Sequence, residues 1–301
     1  MIALLLLACG AGRPDSAPPF VVGVNYPWRH YGIDFGHNAW GHNGISAHPD
    51  SAEDDLAALN GAGVEAVRWF LFADGRAAPS FEADGTPAGL SAAFYADLHA
   101  ALALADTWGV QVLFVLFDYT WLMPPDTVDG VQLFGRAEVF RDPLKRAALR
   151  EAVLVPLLEA VGDHPAVLGW EVMNEPEWVI ETEPELDGAI DEIVETLHAG
   201  SSLPVTVGSA SLQELEARWL GRGLDWLQLH CYADPATLPP AAEIGDEPVL
   251  IGEFSTAWRD EAALMDVAWS EGYLGAWGWS LSAGDGASDL DLEAVSAWTP
   301  P

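Results

Sequence analysis

"AVLGWEVMNE", residues 166–175, is apolar through its first half and ends on an amide and an acid, Asn174 and Glu175, just before Pro176. Short apolar runs of this kind, bounded by turn residues, read as strands buried on both faces, the kind found in parallel sheets. Seven more follow the pattern: "FVVGVNY" (20–26), "VEAVRWFLF" (64–72), "VQVLFVLFDY" (110–119), "LPVTVGSA" (203–210), "LDWLQLHCY" (224–232), "PVLIGEFS" (248–255) and "YLGAWGWSL" (273–281). Helix-start signals fall between them: Ser51 with Asp54, Asp142 before Pro143, and Ser211 with Glu214 as a capping box. Each gap is expected to hold a crossover, and eight strand–helix units in one chain predict an α/β fold, a single-domain (β/α)8 TIM barrel over residues 20–301. The alternative is an open doubly wound sheet, which would carry a glycine-rich phosphate turn after its first strand; "GVNYPWRHYG" (23–32) has none.

The loops at 27–50 and 120–141 are longer than the rest and follow strands one and three, so they sit at the C-terminal face where barrel enzymes build their sites. The strand ends facing that side are repeatedly polar or aromatic: Arg68 in strand two, Asp118 ending strand three, Asn174 and Glu175 ending strand four, His230 and Tyr232 ending strand six, Glu253 ending strand seven, and Trp277 and Trp279 in strand eight. Isolated buried charges cost several kcal/mol each, so this many polar strand ends point to one shared site at the barrel mouth. Two glutamates on such a rim suit glycoside hydrolysis, one as proton donor and one as nucleophile. The donor needs a raised pKa, from burial and a neighbouring carboxylate, and the nucleophile must stay ionised beside donors such as Arg68 and Tyr232.

Glu171, four residues deeper than Glu175, reads as a buried structural carboxyl, neutral or paired with Arg68, and Glu177 as a rim residue beside Trp178. Trp28, Trp40, Trp121, Trp178 and Trp258 fall in loops just after strands, where indoles either stack on sugar faces or fill space between loops. Asp118 could bind a sugar hydroxyl or cap the strand. His37, His42 and His48 are expected as hydrogen-bonding partners rather than a metal site, and alternation turns Cys231 outward against a helix.

Composition narrows the partners. The formal net charge is −34, from 46 acidic and 12 basic residues, and such a surface repels nucleic acid and anionic lipid headgroups. Residues 1–19 are expected to form a signal segment and short linker: Leu6-Leu7-Ala8-Cys9 resembles a bacterial lipoprotein signal in which Cys9 is lipidated, and a frayed apolar terminus is the alternative. That pattern predicts a secreted or envelope-anchored protein, touching membrane only through Cys9. No other uncharged apolar stretch is long enough to span a bilayer.

"WEVMNEP" (170–176) resembles the strand-four signature of clan A glycoside hydrolases, and "VLIGEFS" (249–255) their strand-seven segment. "VRWF" (67–70), "LHCY" (229–232) and "GWSL" (278–281) are similar to the clan's strand-two arginine, strand-six His-x-Tyr and strand-eight tryptophan. The resemblance runs from about Phe20 to the end and is nearest the family-five, cellulase- and β-mannanase-like members. It implies Glu175 as acid/base, Glu253 as nucleophile, Asn174 on the sugar 2-hydroxyl, Arg68 and Tyr232 orienting Glu253, His230 lining the site and Trp279 stacking on the sugar ring. Many family-five enzymes carry a histidine at strand three, where this chain offers Asp118, Tyr119 and Trp121 instead. The expected activity is retaining hydrolysis of a β-linked poly- or oligosaccharide by a monomer, with no cofactor or metal. A transglycosylase or a non-catalytic glycan-binding barrel remains the alternative.

Overall fold

The computed structural model describes residues 13–14, 16–180, 183 and 186–301. Eight parallel strands close into a barrel: β1 (Gly23–Asn25), β2 (Ala66–Phe70), β3 (Gln111–Asp118), β4 (Val167–Asn174), β5 (Val205–Ser209), β6 (Leu227–His230), β7 (Val249–Ser255) and β8 (Gly275–Trp279), which returns to β1. Each lies inside one of the eight apolar runs, and closure removes the open doubly wound alternative. Cys9 and the rest of residues 1–12 lie outside the described residues. Among the described residues no helix is long and apolar enough to cross a membrane.

The helix signals hold with one shift. Asp142 accepts from the Leu144 amide and Ser211 from the Glu214 amide, as N-caps do. Glu214 reaches forward to Arg218 instead of back to Ser211, so only half of the capping box forms. Ser51 is no cap: the helix Pro49–Gly61 starts two residues earlier, where Pro49 presets the first turn, and the Ser51 hydroxyl donates back to the His48 carbonyl. The expectation of a full helix in every gap fails between β6 and β7. Two short 3-10 turns, Pro235–Thr237 and Ala241–Glu243, make that crossing, because Pro235, Pro239 and Pro240 remove the amides a longer helix needs.

Side chains fill the barrel in layers. On β2, Ala66, Arg68 and Phe70 point inward at the two-residue period of a strand. Ala66 joins Leu113, Leu250 and Trp277 in an apolar floor, and Phe70 joins Val115 and Trp279 near the mouth. Between them lies a polar plate of Asn25, Arg68, Glu171 and Gln228, all buried. Trp277 and Trp279 therefore share a face but not a layer. The Trp277 indole fills the space beside Gly23, where a Cβ would stand 2.3 Å from the ring, and Trp279 alone reaches the cavity. The outward strand faces pack against the helices in one continuous core.

Register irregularities decide what the mouth displays. Pairing between β4 and β5 shifts between Glu171 and Asn174, and β7 slips around Gly252, where His230 pairs with Glu253. Strict alternation from Leu250 would send Glu253 outward; the bulge turns it in.

Candidate active site

Arg68 is the hub. Its guanidinium is fully buried, and all five N–H groups are engaged. Nε and Nη2 grip Glu171 in a bidentate pair, each at 2.6 Å. Nη2 also donates to Asn174 Oδ1 at 2.7 Å, and Nη1 to Asn25 Oδ1 at 3.1 Å and to Glu253 Oε1. Glu171 is thus the structural partner of Arg68, held further by Gln228 Nε2 at 2.8 Å. The two carboxylates raise Arg68 against the burial that would lower it, so it stays a cation.

Glu253 is 4% exposed. Its Oε1 faces Arg68, and its Oε2 accepts the Tyr232 hydroxyl at 2.9 Å. Across the mouth, Glu175 Oε1 lies 2.7 Å from His230 Nδ1, and the same nitrogen is 3.5 Å from Glu253 Oε2. Glu175, His230 and Glu253 each place an atom within 4.8 Å of the others. Glu175 Oε2 accepts the indole N–H of Trp178 at 2.8 Å. Glu175 also has φ 44°, in the left-handed region, a strain of order 1 kcal/mol that marks functional positions; its amide is tied to the Gly208 carbonyl at 2.7 Å.

The protonation pattern differs from the one expected for a separate acid and nucleophile. Burial pushes Glu253 up, against the pull of His230 and Arg68. Burial also works to raise Glu175, but the hydrogen bond and charge of His230, with the Trp178 N–H, outweigh it and hold this carboxyl below its ordinary value. His230 is raised by the two carboxylates despite its burial. The surroundings therefore favour the ionised form of Glu175 and the protonated form of His230.

Asp118 is the cap considered for it: Oδ1 accepts from the Thr120 amide, while Oδ2 accepts from Asn174 Nδ2 at 2.8 Å, and its carboxyl, raised to about 6 chiefly by burial, lines the cavity. That cavity, about 380 Å³, is also lined by Asn174, Glu175, Tyr232, Glu253 and Trp279, with Trp28, Tyr31, Tyr119 and Asp285. Trp279 is anchored by its N–H to Asp285 at 2.9 Å. Trp28 meets Trp279 edge-on at 5.8 Å.

Two expectations fail. Trp121 is no substrate platform: the 3-10 turn Tyr119–Leu122 rotates it into the core, fully buried, with Phe117 at 4.7 Å and Phe140 at 6.1 Å. Tyr119, from the same turn, takes the place at the cavity wall. Glu177 is not on the rim either; it is 3% exposed and accepts from Ser209 Oγ, the Ala210 amide and Trp219 Nε1. Of the loop tryptophans, Trp40, Trp178 and Trp258 stand exposed. Trp258 lies edge-on to Tyr232, and Trp40 packs over Arg76. His42 pairs with Asp97, and among the described residues the three loop histidines form no common donor set. Cys231 lies in the outer core. Asn25 and Gln228 were legible as polar residues inside apolar strands, and Tyr119 by its place after strand three; Tyr31 and Asp285 carry no signal outside the fold.

The architecture agrees with known proteins. No family model matches the chain. A mannan endo-1,4-beta-mannosidase of Cryptopygus antarcticus is 24% identical over 90% of this chain and 82% of the relative, and one of Mytilus edulis is 28% identical over 52% and 40% respectively. Among solved structures, an endo-1,4-beta-mannanase from Eisenia fetida superposes with TM-score 0.78 at 24% identity, covering 95% of this chain and 93% of that one. The beta-1,4-D-mannanase from Cryptopygus antarcticus gives 0.77 at 23%, covering 93% and 89%. The chain has the fold of the family-five-like mannanases. With its two rim glutamates, it is a glycosidase.

Proposed function

We propose that this chain is an endo-acting, retaining β-1,4-mannanase. The observation that carries the reading is the close approach of Glu175 and Glu253 across the cavity, atoms within 4.8 Å, in keeping with the roughly 5 Å separation of retaining enzymes and too short for the wider gap of inverting ones. Mannan is supported by the named activities of the relatives above.

Glu253, held by Arg68 and Tyr232, attacks the anomeric carbon while Glu175 protonates the departing glycosidic oxygen. Glycosylation removes the charge of Glu253. Glu175 then loses a like-charged neighbour, its carboxylate becomes favoured, and it deprotonates the water that releases the sugar. Asn174, fixed between Arg68 and Asp118, faces the bound ring beside Glu175 and suits the sugar 2-hydroxyl. Trp279, locked by Asp285, supplies an apolar face for the sugar.

The test is hydrolysis of β-mannan beside other β-glucans and xylans, with Glu253→Gln and Glu175→Ala. Glu253→Gln should abolish activity. Glu175→Ala should lose about 10²–10⁴-fold on mannan, and far less on aryl glycosides whose leaving group needs no proton. Wild-type activity in Glu253→Gln would overturn the assignment. Secretion or envelope anchoring through Cys9 is part of the same proposal, supported by the Leu6–Cys9 pattern and checked by the mass of the mature N-terminus.

A further inference from the structure

Both oxygens of Glu175 are occupied, and by unequal partners. Oε1 meets His230, whose side chain is fully buried, so this oxygen faces the barrel interior. Oε2 meets the N–H of Trp178, a residue 66% exposed. A leaving-group oxygen approaching from the cavity must take its proton from Oε2, where the indole now stands, and an indole N–H can only donate. Trp178 also lines a second cavity, larger than the catalytic one at about 860 Å³, with Met123, Pro124, Glu138, Arg141 and Tyr119. Tyr119 is common to the two cavities, whereas Glu175 borders only the smaller. Tyr119 stands between the two, and Trp178 lines the larger while its N–H reaches Glu175, which borders the smaller.

We propose that Trp178 is a positioning residue: it donates to Glu175 Oε2 in the free enzyme and gives up that bond when a leaving-group sugar enters the larger cavity and stacks on the indole. This rests on the glycosidase reading above and adds the element that makes Glu175 an acid at the right moment. Loss of the N–H donor removes a contact that favours the charged form, so binding raises Glu175 toward the protonated state. The other groups facing Glu175 are Arg68 from β2, Asp118 and Tyr119 from β3 and its turn, His230 and Tyr232 from β6 and just beyond, and Glu253 from β7. Trp178, 66% exposed against 36% for Tyr232, is the most exposed of them. Its displacement is the step that couples leaving-group occupancy to proton donation.

The experiment compares wild type, Trp178→Phe and Trp178→Ala on manno-oligosaccharides long enough to fill both cavities, and on an aryl β-mannobioside with no sugar on the leaving side. Phe keeps an aromatic face and removes the donor. In Trp178→Phe, the basic limb of kcat/KM, which reports the free enzyme, should move up by on the order of one to two pH units, the size of one hydrogen bond to a carboxylate. The basic limb of kcat, which reports the bound enzyme, should stay in place. Trp178→Ala should in addition raise KM for the oligosaccharide about 10-fold or more, as loss of a stacking aromatic does, and leave KM for the aryl substrate unchanged. An unchanged melting temperature in both variants confirms that the fold is intact. An active wild type with Trp178→Phe profiles superimposed on it overturns this proposal alone. A wild type inert on every β-mannan and manno-oligosaccharide overturns the functional reading and this one with it.

Discussion

Trp121 and Trp178 each follow a strand within a few residues, and their sequences offer no way to rank them. The structure separates them completely: one is fully buried among Phe117 and Phe140, the other stands 66% exposed beside Glu175. The difference arises because Asp118 caps a 3-10 turn that sends Tyr119 to the cavity and Trp121 to the core. Trp121→Ala should therefore cost about 3–5 kcal/mol of stability, as large-to-small core changes do, and leave KM of the folded enzyme unaltered. Denaturant unfolding beside steady-state kinetics checks this; a stable variant with a weakened KM would return Trp121 to the substrate. Glu175 and Glu253 were legible as residues, since charged groups ending apolar strands need a shared reason. Their protonation order was not, because it depends on His230 and Trp178, one 55 positions away and the other placed by a short helix, Glu177–Ile180.

At the level of elements, β5 approaches the polar plate closely enough that only glycine fits. A Cβ on Gly208 would stand 2.4 Å from Glu171 Oε1, 3.0 Å from Gln228 Nε2 and 3.1 Å from His230 Nε2. Glu171 cannot yield, because Arg68 holds both its oxygens. Gly208→Ala should cost about 1–3 kcal/mol, the usual penalty of overpacking, and lower kcat by displacing His230 from Glu175. Gly188, on the helix Asp187–Gly200 with nothing near its Cβ direction, is the control: Gly188→Ala should stabilise by roughly 0.4–1 kcal/mol. Thermal melts of the two variants test the contrast, and equal melting temperatures would refute it. The eight strands and most helix starts could be read from period and capping residues. The bulges at Glu171–Asn174 and around Gly252 could not, since a one-residue slip leaves composition unchanged and reverses which face is displayed.

Across the whole molecule, 46 acidic residues face 12 basic ones, and several carboxyls are held above their ordinary values in the fold. Burial is the main cause for Asp34 and Asp118, raised to about 6, and for Glu261, raised to about 7. A folded-state pKa above the unfolded one means that the native protein binds more protons, so this stability is present in full below about pH 4 and is lost as pH rises through about 6 to 7. Self-repulsion of the surface acts in the same direction and is screened by salt. The melting temperature should rise when pH is lowered from about 8 to about 5 and when salt is added at the higher pH; a flat or opposite trend by calorimetry would refute it. The sequence by itself determined the barrel, its eight strands, the acidic surface and the two glutamates, because each is written in local period, composition or the polarity of a strand end. Only the tertiary structure decided which tryptophan is core and which guards the acid, that Glu177 is buried, and that Arg68 spends its five donors on four side chains, because these follow from register and closure, which bring distant residues into one plate.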